Sequence, residues 1–180
     1  KIIIDEKLIG KSDLFVCGLF EEENISEPEL SKELNEAVKA KLFTGKWNET
    51  YDTKISSGKV TFIGLGKKKE LDLEKVRKMF GKAVSKARCL RCVSVETNLA
   101  QVLASSGLFE ENSLGQAIAE GLLFSNYDFT WYLSKEKLEK RKPLEVVTLL
   151  LKGKGQALTN GLRKGRVIAE TSNFVRDLVN

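Results

Sequence analysis

KVTFIGLGKKKELDLEKVRKMFGKAVSKARCLRCVSVETN, residues 59–98, contains in succession a strand, a turn, a helix and a second strand. Its apolar opening breaks at Gly64 and Gly66, which predicts a strand that runs into a tight turn. Asp72 is a typical N-cap for the following helix, whose predicted core stripe is Leu73, Val76, Phe80, Val84 and Ala87. The segment CVSVETN then resumes strand character, and the strand–helix–strand order predicts a parallel pair covered by a helix.

The alternation continues upstream of this unit. Asp13–Glu22, DLFVCGLFEE, is a short apolar run that ends in charge, as in a strand buried on both faces. Ser26–Glu29 then offers a capping box with Pro28 in the first helical turn. Four-residue spacing predicts the inner stripe of that helix to be Leu30, Leu34, Val38 and Leu42.

Downstream, two helices are predicted at Leu99–Ser105 and Ser113–Ser125. Strands are predicted in YDFTWYL (127–133) and LEVVTLLLKG (144–153), on either side of a basic turn. One long helix is predicted from Gln156 to the end, with inward residues Leu158, Leu162, Ile168, Ala169, Ser172 and Val175. The fold class predicted is α/β, a three-layer arrangement of a mixed, mostly parallel sheet with helices on both faces.

Composition fits a globular protein of one domain, or of one domain and the start of another. The chain has 180 residues, 42% of them hydrophobic and 31% charged, with a formal net charge of +5. Apolar runs such as Val146–Leu151 are too short to cross a membrane, and Asp5 and Glu6 follow the opening KIII, so no secretory signal is visible. We therefore expect a cytoplasmic protein.

The residues that usually carry chemistry give no catalytic pattern. The chain has no His, which excludes an imidazole base or nucleophile pair. Cys89 and Cys92 have CxxC spacing without a second pair, so with Cys17 they are expected to be small, semi-buried residues of a reduced protein. Lys69 occupies the third glycine position of a dinucleotide loop, and the glycines at 153 and 155 lack the Gly-Lys-Ser/Thr ending of a phosphate loop.

The acidic residues show no spacing that would bring several of them around two metal ions. They are Glu21–Glu23, Glu110, Glu111, Glu120 and Glu170. Glu120 lies among small and apolar residues in AIAEGLL, and a local structural partner is favoured there over a site. The aromatic residues Tyr127, Phe129, Trp131 and Tyr132 favour a packed strand over a stacking surface for bases. No catalytic, cofactor-binding or metal residue is assigned.

Three stretches nevertheless resemble one family: VTFIGLGKK (60–68), GQAIAEGLLFSNYDFTWY (115–132) and GLRKGRVIAETSNFVRDLVN (161–180). Together they resemble the amino-terminal part of leucyl aminopeptidases, the hexameric cytosol aminopeptidases. The third stretch is the most specific, and its matching positions are Gly165, Ala169, Asn173, Arg176, Asp177, Leu178 and Asn180.

The resemblance implies a parent enzyme that removes amino-terminal residues from peptides with two divalent ions, zinc or manganese. It places the catalytic motifs, Lys-Gly-x-Thr-Phe-Asp and Asn-Thr-Asp-Ala-Glu-Gly-Arg, in a carboxy-terminal domain. Neither motif is in this chain. No catalytic or metal residue is therefore transferred, and this chain alone is expected to be inactive.

The resemblance also implies a domain organisation. Residues 1–154 would form a macro-domain-like unit, and residues 155–180 a connecting helix to the catalytic domain. The helix has no stop signal at its end, so the chain is expected to continue into that domain. A scaffold and assembly role follows, with the catalytic domain and a homo-hexamer as partners and peptides bound elsewhere. Arg176 and Asp177 are expected to pair at the domain junction.

Two other functions remain open at this stage. A macro-like module could bind a nucleotide or ADP-ribose, although no glycine-rich phosphate loop supports this. Nucleic acid could contact the basic clusters Lys67–Lys69 and Lys135–Lys142, with an affinity that falls steeply as salt rises.

Overall fold

The centre of the molecule is a six-stranded sheet. The computed structural model describes residues 1–7, 10, 12–21, 28–130, 132–136, 143–153 and 155–179. The strands are β1 (Ile2–Asp5), β2 (Leu14–Phe20), β3 (Thr50–Ile55), β4 (Gly58–Gly66), β5 (Ser94–Thr97) and β6 (Val146–Leu150). Their order is β1-β6-β5-β2-β4-β3, parallel except for β3, which pairs antiparallel with β4 at one edge. This confirms the mixed, mostly parallel sheet.

Helices follow β2, β4, β5 and β6 along the chain. They are α1 (Pro28–Lys39), α2 (Leu73–Cys89), α3 (Leu99–Ser105), α4 (Glu111–Asn126) and α5 (Gln156–Val179), with a short 3₁₀ turn at Lys68–Glu70. The predicted cap of α2 is confirmed, because the Asp72 carboxylate accepts a hydrogen bond of 2.7 Å from the Lys75 amide. Gly66 has a φ of +69°, which agrees with the predicted turn after β4.

The side chains of β2 alternate between two cores. Leu14 and Val16 belong to the larger cluster, which includes buried residues of α2, α4 and α5. Cys17 and Leu19 belong to a smaller cluster with Leu30 and other buried residues of α1. Because successive side chains of a strand point to opposite faces, helices lie on both sides of the sheet, as predicted.

The prediction of a strand over YDFTWYL is wrong. Residues 127–130, 132 and 133 form no strand, and Trp131 lies outside the described residues. The strand at the sheet edge next to β6 is instead β1, which pairs with β6 from Ile2 to Asp5. Sequence reasoning missed this strand and also β3, whose alternation of charged and apolar residues was not used.

The predicted inner stripe of α1 is only half correct. Leu30 and Leu34 are buried, but Val38 and Leu42 are 48% and 58% exposed. Ala37 is buried in their place. A repeat of four residues drifts by about 40° per step around a helix of 3.6 residues per turn, so the third contact falls at i+7. The Ser26 and Glu27 part of the capping box lies outside the described residues.

Candidate functional site

Helices α4 and α5 pack against each other through glycines. A Cβ atom added to Gly161 would lie 2.0 Å from the Asn112 carbonyl oxygen, and one on Gly165 would lie 2.4 Å from that of Gln116. On the other side, a Cβ on Gly115 would lie 2.2 Å from the Leu158 carbonyl oxygen. The two backbones are therefore closer than any side chain at these positions would permit. This contact fixes the direction in which α5 leaves the sheet.

The inner face of α5 differs in part from the predicted one. Leu158, Leu162 and Ala169 are buried as predicted. The prediction that Ile168 and Val175 face inward is wrong, because these side chains are 36% and 50% exposed. The predicted inner stripe did not include Gly161 and Gly165, which are buried between Leu158 and Ala169.

The end of α5 is held by Tyr127, which follows α4 directly. The Tyr127 hydroxyl donates a 2.7 Å hydrogen bond to Asp177, and the Arg176 guanidinium lies 4.1 Å from the centre of the Tyr127 ring. The Asn173 amide donates to the Leu123 carbonyl oxygen over 3.2 Å. Arg176 and Asp177 thus both contact the first residue of the stretch that was predicted as a strand.

The outer surface of the same half of α5 is apolar. Six large hydrophobic residues there are between 36% and 77% exposed: Val167, Ile168, Phe174, Val175, Leu178 and Val179. At 100° per residue these positions fall within about 140° of the helix circumference. We call this set the apolar α5 face. Contiguous exposed apolar surface of this kind is typical of a surface that contacts another protein segment.

Glu120 has the structural role that the sequence favoured. It is 4% exposed and lies on the side of α4 that contacts α2. The Arg77 guanidinium donates to Oε2 over 2.6 Å, and the Gln116 amide donates to Oε1 over 2.7 Å. Both carboxylate oxygens therefore have partners, which is how a protein compensates a buried charge.

The other acidic residues lie apart. Glu110 caps α4, and hydrogen bonds from the Ser113 hydroxyl and amide and from the Asn112 amide lower the pKa of its carboxyl below the usual value. Glu170 pairs with Arg166 over 2.6 Å. Glu22 and Glu23 lie outside the described residues. Among the residues that the structure describes, no three His, Cys, Asp or Glu residues come close enough to hold a metal ion.

Within the described residues, the basic residues and the cysteines form no single site. Lys67–Lys69 are exposed around the 3₁₀ turn, and the Lys68 amino group lies 5.0 Å from the centre of the Phe20 ring. Lys137–Lys142 lie outside the described residues. All three cysteines are free thiols, as expected, but Cys89 is exposed whereas Cys17 and Cys92 are buried. Burial raises the pKa of the Cys92 thiol.

Sequence reasoning missed Glu96, in the middle of β5. It is 2% exposed, and its Oε2 accepts hydrogen bonds from the Ser12 hydroxyl at 3.0 Å and from the Gly10 amide at 3.1 Å. The available signal was a single acidic residue inside the short strand segment CVSVETN, because a buried parallel strand rarely contains a charge.

No helix in the described part of the chain has both the length and the hydropathy needed to cross a membrane.

Comparison with known proteins shows which family this chain matches. Residues 18–136 match the model of the cytosol aminopeptidase family, N-terminal domain. A probable cytosol aminopeptidase of Clostridium perfringens is 31% identical over an alignment that covers 99% of this chain and 36% of the relative. The chain thus spans about a third of the length of this curated relative.

Two solved structures share the fold. A mutant of tomato leucine aminopeptidase superposes with a TM-score of 0.73 at 20% identity, over 94% of this chain and 36% of that one. A mutant of the Oceanobacillus iheyensis macrodomain superposes with a TM-score of 0.60 at 12% identity, over 94% and 88% of the two chains. The macro-like fold implied by the resemblance is therefore confirmed. The chain belongs to the cytosol aminopeptidase family, and it carries the family's N-terminal domain.

Proposed function

We propose that this chain is the non-catalytic amino-terminal domain of a longer aminopeptidase, and that it acts as a scaffold for a carboxy-terminal catalytic domain. The observation that carries the proposal is the apolar α5 face, on a helix anchored to the domain at its other side. The partner that we assign to this face is the catalytic domain. An exposed apolar surface that includes Phe174 and Leu178 is costly to leave in water, and burial against a partner removes that cost.

Two features support this assignment. The α4–α5 glycine contact and the Tyr127 contacts make α5 a rigid extension of the domain. A rigid helix can transmit a fixed orientation to whatever packs on its outer face. We propose the domain boundary at 154/155, with residues 1–154 as the macro-like domain and residues 155–180 as the connecting helix.

The activity of the whole protein is proposed from its family. Cytosol aminopeptidases are metal-dependent peptidases. In the parent, two divalent ions, zinc or manganese, would activate the water that hydrolyses the amino-terminal peptide bond. These ions and the peptide substrate would be held by the catalytic domain and not by this chain. We propose a cytoplasmic homo-hexamer for the parent.

The first test is the coding sequence beyond Asn180. Because this chain covers only 36% of the Clostridium perfringens relative, we expect the coding sequence to continue for about 300 codons and to encode the two catalytic motifs. The long protein, loaded with zinc or manganese, should then hydrolyse a leucine anilide, and the 180-residue chain alone should not.

A chelated sample of the long protein is the control for metal dependence. A stop codon directly after Asn180 would overturn the assignment to a longer enzyme. Hydrolysis by the isolated chain at the rate of the long protein would contradict its non-catalytic role.

A further inference from the structure

Strand β1 lies at an edge of the sheet, and one side of its backbone has no strand partner. Within the described residues its only strand neighbour is β6. The carbonyl oxygens of Lys1 and Asp5 each accept a hydrogen bond from the neighbouring β6 segment, over 2.9 and 2.8 Å. Because the bonding groups of successive residues in a strand point to alternate sides, the N–H and C=O groups of Ile2 and Ile4 point away from β6. These are the groups to which an added strand would bind.

The two edges of the sheet differ in how they are protected against such pairing. The opposite edge strand, β3, has exposed charged residues at Asp52 and Lys54, which is a common way to block an edge. Strand β1 instead contains three successive isoleucines, Ile2–Ile4, each of which is only partly buried. The β1 edge is therefore the one at which a further strand can add.

A groove of about 610 Å³ lies beside the β1 edge. Ile2 and Ile4 line it from β1, Leu123 lines it from α4, and Leu162 lines it from α5. These apolar residues offer a hydrophobic site for side chains that an added strand would bring. In strand addition, backbone hydrogen bonds supply affinity and sites for alternate side chains supply specificity.

The charged residues that line the groove are mostly cationic. They are Lys1, Arg163 and Arg166, with one acid, Glu170. Glu170 already accepts a hydrogen bond of 2.6 Å from Arg166. Arg163 is exposed and, in the part of the chain that the structure describes, forms no hydrogen bond or ion pair. It precedes Glu170 by two helical turns, about 10.5 Å along the axis, so an acidic group can bind Arg163 without lying against Glu170.

These features favour one kind of occupant. An extended peptide has backbone groups for the open edge of β1, apolar side chains for the groove and a carboxylate for Arg163. A small hydrophobic acid would leave the N–H and C=O groups of the β1 edge without partners. A basic segment would be repelled by the cationic lining, whereas a carboxylate forms a charge-assisted hydrogen bond with a guanidinium group.

We propose that the β1 edge and the adjacent groove bind an extended, acidic and apolar segment of a partner protein by strand addition. The segment places alternate apolar side chains against Ile2, Ile4 and Leu162, and a carboxylate on Arg163. The site is independent of the proposed function, because the α5 residues that line the groove lie outside the apolar α5 face, to which the catalytic domain is assigned.

The test measures binding of the peptide Leu-Thr-Leu-Thr-Glu, labelled with fluorescein at its amino end and amidated at its carboxyl end, by fluorescence anisotropy. The two leucines and the glutamate lie on the same face of a strand, so they reach the groove together. The same peptide with glutamine in place of glutamate is the neutral control. We expect the acidic peptide to bind at least about tenfold more tightly, because only its carboxylate forms a charge-assisted hydrogen bond with Arg163. Equal affinity of the two peptides would overturn the assigned role of Arg163.

Two methylated peptides test the strand pairing itself. One has N-methyl groups on both leucine amides and the other on both threonine amides, so each lacks the N–H groups on one side of the strand. Only one side can face β1. We therefore expect one of the two peptides to lose at least about tenfold in affinity and the other to bind like the unmethylated peptide. Equal affinities of the two methylated peptides would overturn strand addition.

A variant locates the site on the protein. Arg163→Gln removes a guanidinium group at an exposed position and should weaken binding of the acidic peptide at least about tenfold. Arg91→Gln is the matched control, because it removes one positive charge at an exposed position outside the groove and should leave binding unchanged. Binding that persists in Arg163→Gln would place the peptide elsewhere and overturn the proposal. Self-association of the protein that the peptide reverses, measured by analytical ultracentrifugation, would make a second copy the occupant and would overturn the assignment to a partner protein.

Discussion

Single carboxylates join the elements of this fold, and Asp13 is the clearest example. Its Oδ2 atom accepts hydrogen bonds from the Val93 amide at 2.9 Å, and from the Ser94 amide and hydroxyl, each at 3.0 Å. These contacts join the start of β2 to the start of β5. The Val93 hydrogen bond, against the opposing effect of burial and with help from Ser94 and Lys59, lowers the pKa of the Asp13 carboxyl below its usual value.

We predict a pH-dependent stability loss in Asp13→Asn. A carboxyl whose pKa is lowered by folding stabilises the protein above its unfolded pKa, and this contribution is lost as the pH falls through the folded pKa. At pH 7 the variant should lose about 1 kcal/mol in the free energy of unfolding, a modest figure because Asp13 is exposed to screening water. Urea unfolding from pH 7 down to pH 3 measures the difference.

The difference between the two proteins should shrink as the pH falls, since the native Asp13 then becomes neutral too. Glu70→Gln, at an exposed position of the 3₁₀ turn, is the control and should change little. A loss in Asp13→Asn that is the same at every pH would show that the charge is not what stabilises the strand starts.

How much of the site the sequence could predict depended on the residue. The structural role of Glu120 was predictable, because an acid among small residues on a helix usually finds a local partner. Glu96 was missed, since its environment depends on Phe15 and Thr148, which come from two other strands. Which residues neighbour one another across a parallel sheet is set by topology, and a single sequence does not show it.

Among the elements, the helices and buried strands were the most predictable, because periodicity reports burial directly. The bounds of α3 and the start of α5 agree with the sequence-based prediction. The strand prediction for the aromatic segment after α4 failed, because aromatic residues favour strands only where a neighbouring strand exists. Here β1 already occupies that edge, and Tyr127 packs on α5 instead.

At the contact between α4 and α5, we predict that a glycine-to-alanine substitution has the opposite effect on stability from the usual one. Replacing a helical glycine with alanine normally stabilises a helix by about 1 kcal/mol. In Gly161→Ala, however, the new methyl group would meet the Asn112 backbone at 2.0 Å, so α5 must move away from α4. We expect the free energy of unfolding to fall by about 2 kcal/mol or more, which is within the range for overpacking a core.

Thermal and urea unfolding of the variant measure this loss. Lys164→Ala, an exposed position on the same helix, is the control and should be neutral or slightly stabilising. A Gly161→Ala protein as stable as this control would mean that the helices are not in close backbone contact.

For the whole molecule, the two faces of α5 have different roles. The inner face, with Gly161 and Gly165, belongs to the stability of the domain itself. Within the apolar α5 face, Phe174 and Leu178 contribute little to that stability, because they are 61% and 69% exposed. If the outer face serves a partner domain, changes there should affect the long protein and leave the isolated chain unaffected.

The double variant Phe174→Ser and Leu178→Ser tests this separation. In the 180-residue chain we expect the free energy of unfolding to stay within about 0.5 kcal/mol, as for most exposed positions. In the long protein the same changes should cost about 3–6 kcal/mol, because each of the two buried apolar side chains contributes about 1.5–3 kcal/mol. Unfolding of both proteins, together with the aminopeptidase rate of the long one, measures the effect. Arg166→Ser, at an exposed position on the opposite side of α5 from the apolar α5 face, is the control. A long protein that keeps its stability and rate in the double variant would show that this face has another partner, because burial against the catalytic domain requires the loss.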